Sequence, residues 1–338
     1  MLQQQSATCR WLAAVVCIFQ FTACAPQIQA RSDTLQAPEL TRDEAVMADG
    51  YRLPLERWLP ENGSPCRIVL AVHGFNDFHM AFESLAGALT KDCSAVYAYD
   101  QRGFGATDQR GIWPGEDRLV EDVITLASLL QQRHPELPLY LIGESMGAAI
   151  VMLAMAGNDP PRAEGAVLLA PAVWARDIQP WYMRMGLWFG VRLMPGLKLS
   201  SRLIGIEASD VPEVQQYWRE HPLVIQRTRV DALHGVSKLM GSALDAAGNL
   251  QTPALILYGG KDEVIPPEAA CALLEQLPDP QSVPWRFVYY PQGYHLLTRD
   301  SRAQETIMDT NTWLKSRQAL LPSGRETDRD RAEKVLCQ

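Results

Sequence analysis

Leu139-Tyr140-Leu141-Ile142-Gly143-Glu144-Ser145-Met146-Gly147 decides how the rest of this 338-residue chain is read. The four leading apolar residues suit a buried strand, and the small residues that follow (Ala148, Ala149, Ala154, Ala156) suit a closely packed helix. A G-x-S-x-G between a strand and a helix forms a tight turn that lifts the serine hydroxyl clear of the sheet. The helix start behind it offers backbone N–H groups and a positive dipole end to a developing oxyanion. In an arbitrary loop the pentapeptide would mean little. In this setting it points to a nucleophilic serine, Ser145.

Working outward, short β-rich runs at 67–72, 95–99, 138–142, 165–169, 254–258 and 285–290 alternate with helix-like stretches. Those stretches, 80–90, 116–133, 145–157, 266–277 and 301–320, carry apolar residues at three- and four-residue spacing. Such alternation predicts an α/β domain with a mostly parallel sheet and helices on both faces. A β-like region, 45–58, with a turn at Asp49-Gly50, precedes it.

A serine hydroxyl needs a base, and the base needs an orienting acid. His295 follows the last strand-like run and stands where a loop can reach back to the serine. His73 ends an early strand and suits a different task; His79, His134, His221 and His234 suit core or surface roles. For the acid, Asp262 follows the 254–258 run, with Glu263 beside it as a rival.

From about residue 45 to 320 the chain resembles an α/β-hydrolase of the monoacylglycerol lipase/lysophospholipase group, which is also grouped with serine aminopeptidase-like hydrolases. Val72-His73-Gly74-Phe75 is similar to the family's His-Gly turn, and the resemblance implies oxyanion-binding amides at Phe75 and Met146. Asp100-Gln101-Arg102-Gly103-Phe104-Gly105 resembles its D-x-R-G-x-G stretch, which implies a structural role for Arg102. Gly260-x-Asp262 through Pro266 matches its G-x-D-x-x-x-P and selects Asp262 over Glu263. The order Ser145, Asp262, His295 is that of the α/β-hydrolase triad. Glu144, Ala148 and Phe104 depart from the group, which usually has His, Gly and His there. An α/β-hydrolase fold with an inserted helical cap is therefore expected, and no metal or organic cofactor is needed.

The cap falls at 173–230, between core parts 43–172 and 231–321. It holds Trp174, Trp181, Met185, Trp188 and Phe189, and between Trp174 and Arg202 it sets Arg176, Arg184, Arg192, Lys198 and Arg202 against the single acid Asp177. An apolar, locally basic segment suits a cap that meets lipid; the alternative is a helical layer whose aromatics pack on the main domain. Residues 25–42 read as a linker, and 322–338 as a charged, peripheral tail.

Residues 11–25 are almost wholly apolar, too short to span a bilayer and of the right length for the core of a secretory signal. Phe21-Thr22-Ala23-Cys24 resembles a bacterial lipobox, so 1–24 reads as a signal peptide with Cys24 lipidated. The expected location is a membrane-anchored lipoprotein facing the periplasm, with a soluble exported form as the alternative. In an oxidising compartment the remaining even set of cysteines suggests bridges Cys66–Cys93 and Cys271–Cys337.

Composition fits a globular domain, 47% hydrophobic with a net charge of −8, and argues against a nucleic-acid partner. The expected function is hydrolysis of carboxylic esters of monoacyl lipids, lysophospholipid or monoacylglycerol, through an acyl-enzyme on Ser145. A soluble-ester esterase, a serine peptidase and a non-catalytic lipid-binding protein are the alternatives. The oligomeric state is not legible.

Overall fold

The computed structural model describes residues 25–30, 32, 35–61, 63–200 and 206–337. The expected signal segment and Cys24 lie outside the described residues. Six strands form the parallel centre of the sheet: β4 (Arg67–Val72), β5 (Ser94–Tyr99), β6 (Leu139–Glu144), β7 (Gly165–Leu169), β10 (Ala254–Gly259) and β11 (Trp285–Tyr290). On one side β3 (Arg52–Trp58) runs antiparallel to β5, followed outward by β2 (Glu44–Val46) and β1 (Glu39–Leu40). On the other side β12 (Glu326–Thr327) pairs antiparallel with β11. The order across the sheet is therefore β1-β2-β3-β5-β4-β6-β7-β10-β11-β12.

Strand side chains alternate between two cores, as a pleated strand covered on both faces requires. In β4, Ile68, Leu70 and Val72 enter one apolar cluster while Val69 and Ala71 enter the other. The first cluster is covered by helices α2 (Glu116–Arg133), α3 (Met146–Ala156), α6 (Val230–Ala246) and α7 (Pro267–Gln276). The second is covered by α1 (Glu83–Lys91) and α8 (Ala303–Lys315).

Between β7 and α6 the chain leaves this scaffold. The excursion contains α4 (Trp181–Leu193), α5 (Pro212–Glu220) and a two-stranded ribbon of β8 (Lys198–Ser200) and β9 (Arg227–Arg229). The cap is thus helical with a ribbon at its base. Of α4 only Val191 is buried, and Trp181 is 73% exposed. Trp188 and Phe189 meet edge to face at 4.7 Å, with the Arg192 guanidinium 4.0 Å above Trp188. The α4 aromatics face outward, so they are not a layer packed on the main domain.

Three sequence expectations need correction. Residues 25–42 are more than a linker: Ile28 bridges Trp113, Gln29 is buried, and Arg118 donates to its carbonyl at 2.7 Å. Backbone pairing seats this strap against the core, and the Gln27 N–H donates to Asp231 at 3.0 Å. The tail 322–338 is not peripheral. It supplies β12 and α9 (Arg329–Leu336), buries Ala332 and Leu336, and is joined through Cys337 to Cys271. Helix α6 was absent from the helix-like stretches because Gly235 and Gly241 weaken its signal. Gly235 has a packing reason: a Cβ there would lie 2.4 Å from the Trp113 ring. Cys66 and Cys93, which precede neighbouring strands, form the second disulfide.

Candidate active site

Ser145 sits between β6 and α3 with φ +54°, in the left-handed region that a non-glycine residue rarely adopts. Both glycines of the turn are there for lack of space. A Cβ on Gly143 would lie 2.4 Å from Ala148 Cα, and one on Gly147 would lie 1.9 Å from the Val72 carbonyl oxygen. The turn is pinned from β7: the Ser145 N–H donates to Leu169 O at 2.9 Å, and Ala172 N–H donates to Ser145 O at 3.1 Å. These bonds hold a strained conformation that an isolated loop would relax.

Directly opposite stands the turn after β4. A Cβ on Gly74 would lie 3.3 Å from the Ser145 Cβ, a tight contact, so the turn approaches the serine closely. Asp77 N–H closes the turn onto Gly74 O at 3.3 Å, with Asn76 at φ +66° in its third position, where asparagine is tolerated. In such a turn the amide of the second residue, Phe75, is left without a partner. Among the described residues neither the Phe75 nor the Met146 N–H has an acceptor. His73 lies beneath, fully buried, with Nε2 accepting from the Gln101 N–H at 3.0 Å and Nδ1 2.8 Å from Gly74 O. Nδ1 therefore carries the proton, and burial holds this imidazole below its ordinary pKa. It is a neutral strut between two loops.

His295 and Asp262 come from the loops after β11 and β10. Gly259 and Gly260 let those loops zip together: a Cβ on Gly259 would lie 2.5 Å from Gly293 O, and Lys261 N–H donates to Gly293 O at 2.9 Å. Asp262 is buried. Its Oδ1 accepts from the Val264 and Ile265 N–H groups at 2.8 and 2.9 Å, which leaves Oδ2 to receive His295 Nδ1 at 2.7 Å. Glu263 is exposed and accepts instead from the Glu207 N–H of the cap, at 2.9 Å. Burial pulls the pKa of His295 down, but the charge and hydrogen bond of Asp262, helped by Glu144, outweigh it. The net shift is upward. An imidazole fixed through Nδ1 keeps Nε2 for a proton from a nucleophile.

Behind the serine lies a buried ionic cluster that sequence reasoning missed. Arg299 donates through Nη2 to Glu144 and also to Asp77 Oδ2, the latter at 2.9 Å. Burial raises the Glu144 carboxyl, with Arg299 opposing it; in return Glu144 and Asp77 raise the guanidinium against its own desolvation. The cluster ties together the serine turn, the Gly74–Asp77 turn and the His295 loop. Its only sequence signal is Glu144, the ionisable residue just before Ser145. Arg102 joins a similar structural node, bonded to Asp49 and, at 2.6 Å, to Asp122.

This sheet order, with a serine at a strand–turn–helix junction, defines an α/β-hydrolase. Residues 63–302 match the family model described as "Serine aminopeptidase, S33", and the chain belongs to that family. It is 28% identical over 284 residues to a monoacylglycerol lipase of Mycolicibacterium smegmatis, covering 82% of this chain and 98% of that one. The human monoglyceride lipase is 27% identical over 280 residues, covering 81% and 90%. Among solved structures, a monoacylglycerol lipase of Paleococcus ferrophilus superposes with a TM-score of 0.63 at 26% identity, covering 78% of this chain and 98% of that one. A soluble variant of the Saccharomyces cerevisiae monoglyceride lipase shares the fold with a TM-score of 0.68 at 18% identity, covering 88% and 100%.

Proposed function

We propose that this protein is a serine hydrolase that cleaves the carboxylic ester of a monoacyl lipid. The observation that carries the reading is the buried Asp262–His295 pair, together with a strained Ser145 that lies against the Gly74 turn. Relatives named as monoacylglycerol lipases support the substrate class. Ser145 Oγ attacks the ester carbonyl while His295 Nε2 takes its proton, and Asp262 stabilises the imidazolium. The Phe75 and Met146 N–H groups receive the oxyanion. The imidazolium then protonates the leaving alcohol, and water activated by the same base releases the fatty acid and restores Ser145.

The exposed α4 face with its flanking arginines supports contact between the cap and a lipid surface. The strap gives a second support. Gln27 is bonded to Asp231, whose N–H donates to Pro195 O in the cap, between α4 and β8, so the chain enters the fold beside the cap. An anchor at Cys24 would hold that face toward the bilayer. No helix among the described residues is long and apolar enough to cross a membrane. Export and lipidation are proposed from residues 11–25 alone, and a diacylglyceryl adduct in the intact mass of the membrane fraction is their test.

The decisive experiment pairs fluorophosphonate labelling with a substrate panel. Wild type should label and Ser145→Ala should not; equal labelling removes the catalytic reading. Preference for monoacylglycerols or lysophospholipids above their micelle-forming concentration is expected. Preference for short soluble esters or peptides, without such a gain, would replace the lipid reading.

A further inference from the structure

We propose that Asn76 is a positioning residue that couples the cap to the oxyanion site. Strand β9, seated on Asn76, sets the Phe75 amide in place. The inference rests on the hydrolase reading above and deepens it.

Asn76 follows Phe75 and belongs to the same Gly74–Asp77 turn, so any rotation of that turn moves the Phe75 N–H. Both its backbone and its side chain are held by the far end of the cap. The Asn76 carbonyl accepts from the Ile225 N–H at 3.0 Å, and Nδ2 donates to the Thr228 hydroxyl at 2.7 Å, across 152 residues of sequence. Thr228 lies in β9, paired with Leu199 of β8, so this hydroxyl is part of the cap ribbon. Both residues are buried and, with Ile225 and Trp113, line a small cavity; among the described residues Asn76 Oδ1 has no hydrogen-bond partner.

A turn that needed only a left-handed residue could use glycine, which adopts that conformation without strain. Asparagine here buries an amide at the expense of one unpaired oxygen, and what it gains is the bond to the cap. The Phe75 ring is held at the same junction. It packs edge-on against Phe104 at 5.5 Å and against Trp113 at 6.4 Å, and Trp113 abuts Gly235 of α6, the helix that follows β9. On its other side Asp77 is fixed by Arg299. The turn is therefore held between Arg299 on one side and the cap on the other. Displacement of β9 releases the cap-side clamp and leaves the oxyanion donor free to rotate.

The test uses the mature protein with Asn76→Gly, Thr228→Val and Thr228→Ser, together with the Asn76→Gly/Thr228→Val double variant. Glycine keeps the turn conformation and the Ile225 bond while deleting the side-chain latch. Steady-state kinetics on a short soluble ester, the rate of fluorophosphonate labelling and the thermal midpoint are measured for each. Misplacing one oxyanion donor should lower kcat and the labelling rate between about ten- and a hundredfold, with KM little changed. The double variant should lose no more than either single one, because both remove the same contact. Thr228→Ser, which keeps the hydroxyl, should restore the wild-type rate. Wild-type kcat in Asn76→Gly and Thr228→Val overturns the coupling, as do losses that multiply in the double variant or that follow the thermal midpoint alone. Ser145→Ala, run in parallel, separates the two readings. If it retains hydrolysis, the hydrolase assignment falls; if it is inactive while the latch variants are normal, only the coupling falls.

Discussion

Glu144, one residue before Ser145, accepts a hydrogen bond inside the core from Arg299, which lies four residues after His295. The carboxylate contributes to holding the His295 imidazolium, whose pKa lies above its ordinary value of 6.5. Since the base must be neutral to accept the serine proton, the acid limb of kcat/KM should have its midpoint above 6.5. Glu144→Gln removes a negative charge, destabilises the imidazolium and lowers that pKa. The acid limb should therefore move to lower pH, as a pH–rate profile would record. A limb that stays in place would reduce Glu144 to a purely structural partner of Arg299.

The same shift has a stability consequence. His295 is held above its unfolded value, so its contribution to stability is fully present below the unfolded pKa and disappears as pH rises through the folded one. Asp262→Asn, which removes the principal charge on His295 and leaves burial opposing the imidazolium, should abolish or reverse this dependence in urea unfolding curves collected across that window. It should also lower turnover on the order of a thousandfold or more while folding survives. Near-wild-type turnover would transfer the acid role to another carboxylate.

Gly147 lies under β4 so closely that an added methyl would meet the Val72 carbonyl oxygen at 1.9 Å and the His73 carbonyl oxygen at 2.6 Å. Both atoms are backbone of a central strand and have nowhere to move. Gly147→Ala should destabilise the protein by roughly 3 kcal/mol or more and abolish labelling. Gly186→Ala, on the cap helix where nothing lies within 4 Å, should change urea stability little.

Legibility followed the physics of each element. The spans of β4, β7, β11 and α2 could be read from the sequence because each is a continuous apolar or three-four patterned run. Ser145 was legible because its turn demands glycine on both sides within a fixed local spacing. Asp262 was told from Glu263 only by the G-x-D-x-x-x-P resemblance, since both are carboxylates in one loop; the physical difference is burial, which depends on the His295 loop folding back. Asn76, Asp77 and Arg299 escaped altogether. Their partners lie more than a hundred residues away, and no periodicity relates Glu144 to Arg299. The ordered strap and tail escaped because polar segments pair through backbone atoms, which the sequence does not mark.

The bridge between Cys271 and Cys337 closes a stretch with a sequence separation of 66 and joins α7 to the end of α9. It restrains the unfolded chain and fastens a terminal helix whose buried face is only Ala332 and Leu336. Replacing both cysteines by serine should cost roughly 2–4 kcal/mol. Because α9 lies away from the serine turn, ester turnover below the melting transition should stay at the wild-type level. Hydrogen exchange should rise first in 329–337; protection equal to wild type there would mean that packing alone holds the tail.

Trp181 and Trp188 are exposed on α4, a helix that buries a single residue. Leaving such rings in water is unfavourable, and their removal takes nothing from the core. Trp181→Ser/Trp188→Ser should therefore leave the thermal midpoint and the hydrolysis of a short soluble ester within about twofold of wild type. Against vesicles or micelles of a monoacyl lipid the loss should be roughly tenfold or more, because each ring would otherwise be buried among acyl chains. Arg192 stacks on Trp188 at 4.0 Å, so its charge is held beside the same ring, and binding should strengthen with the fraction of anionic lipid. Co-sedimentation with vesicles separates binding from turnover. Equal losses on lipid and soluble ester, with unchanged vesicle binding, would overturn the lipid-contact reading of these aromatics.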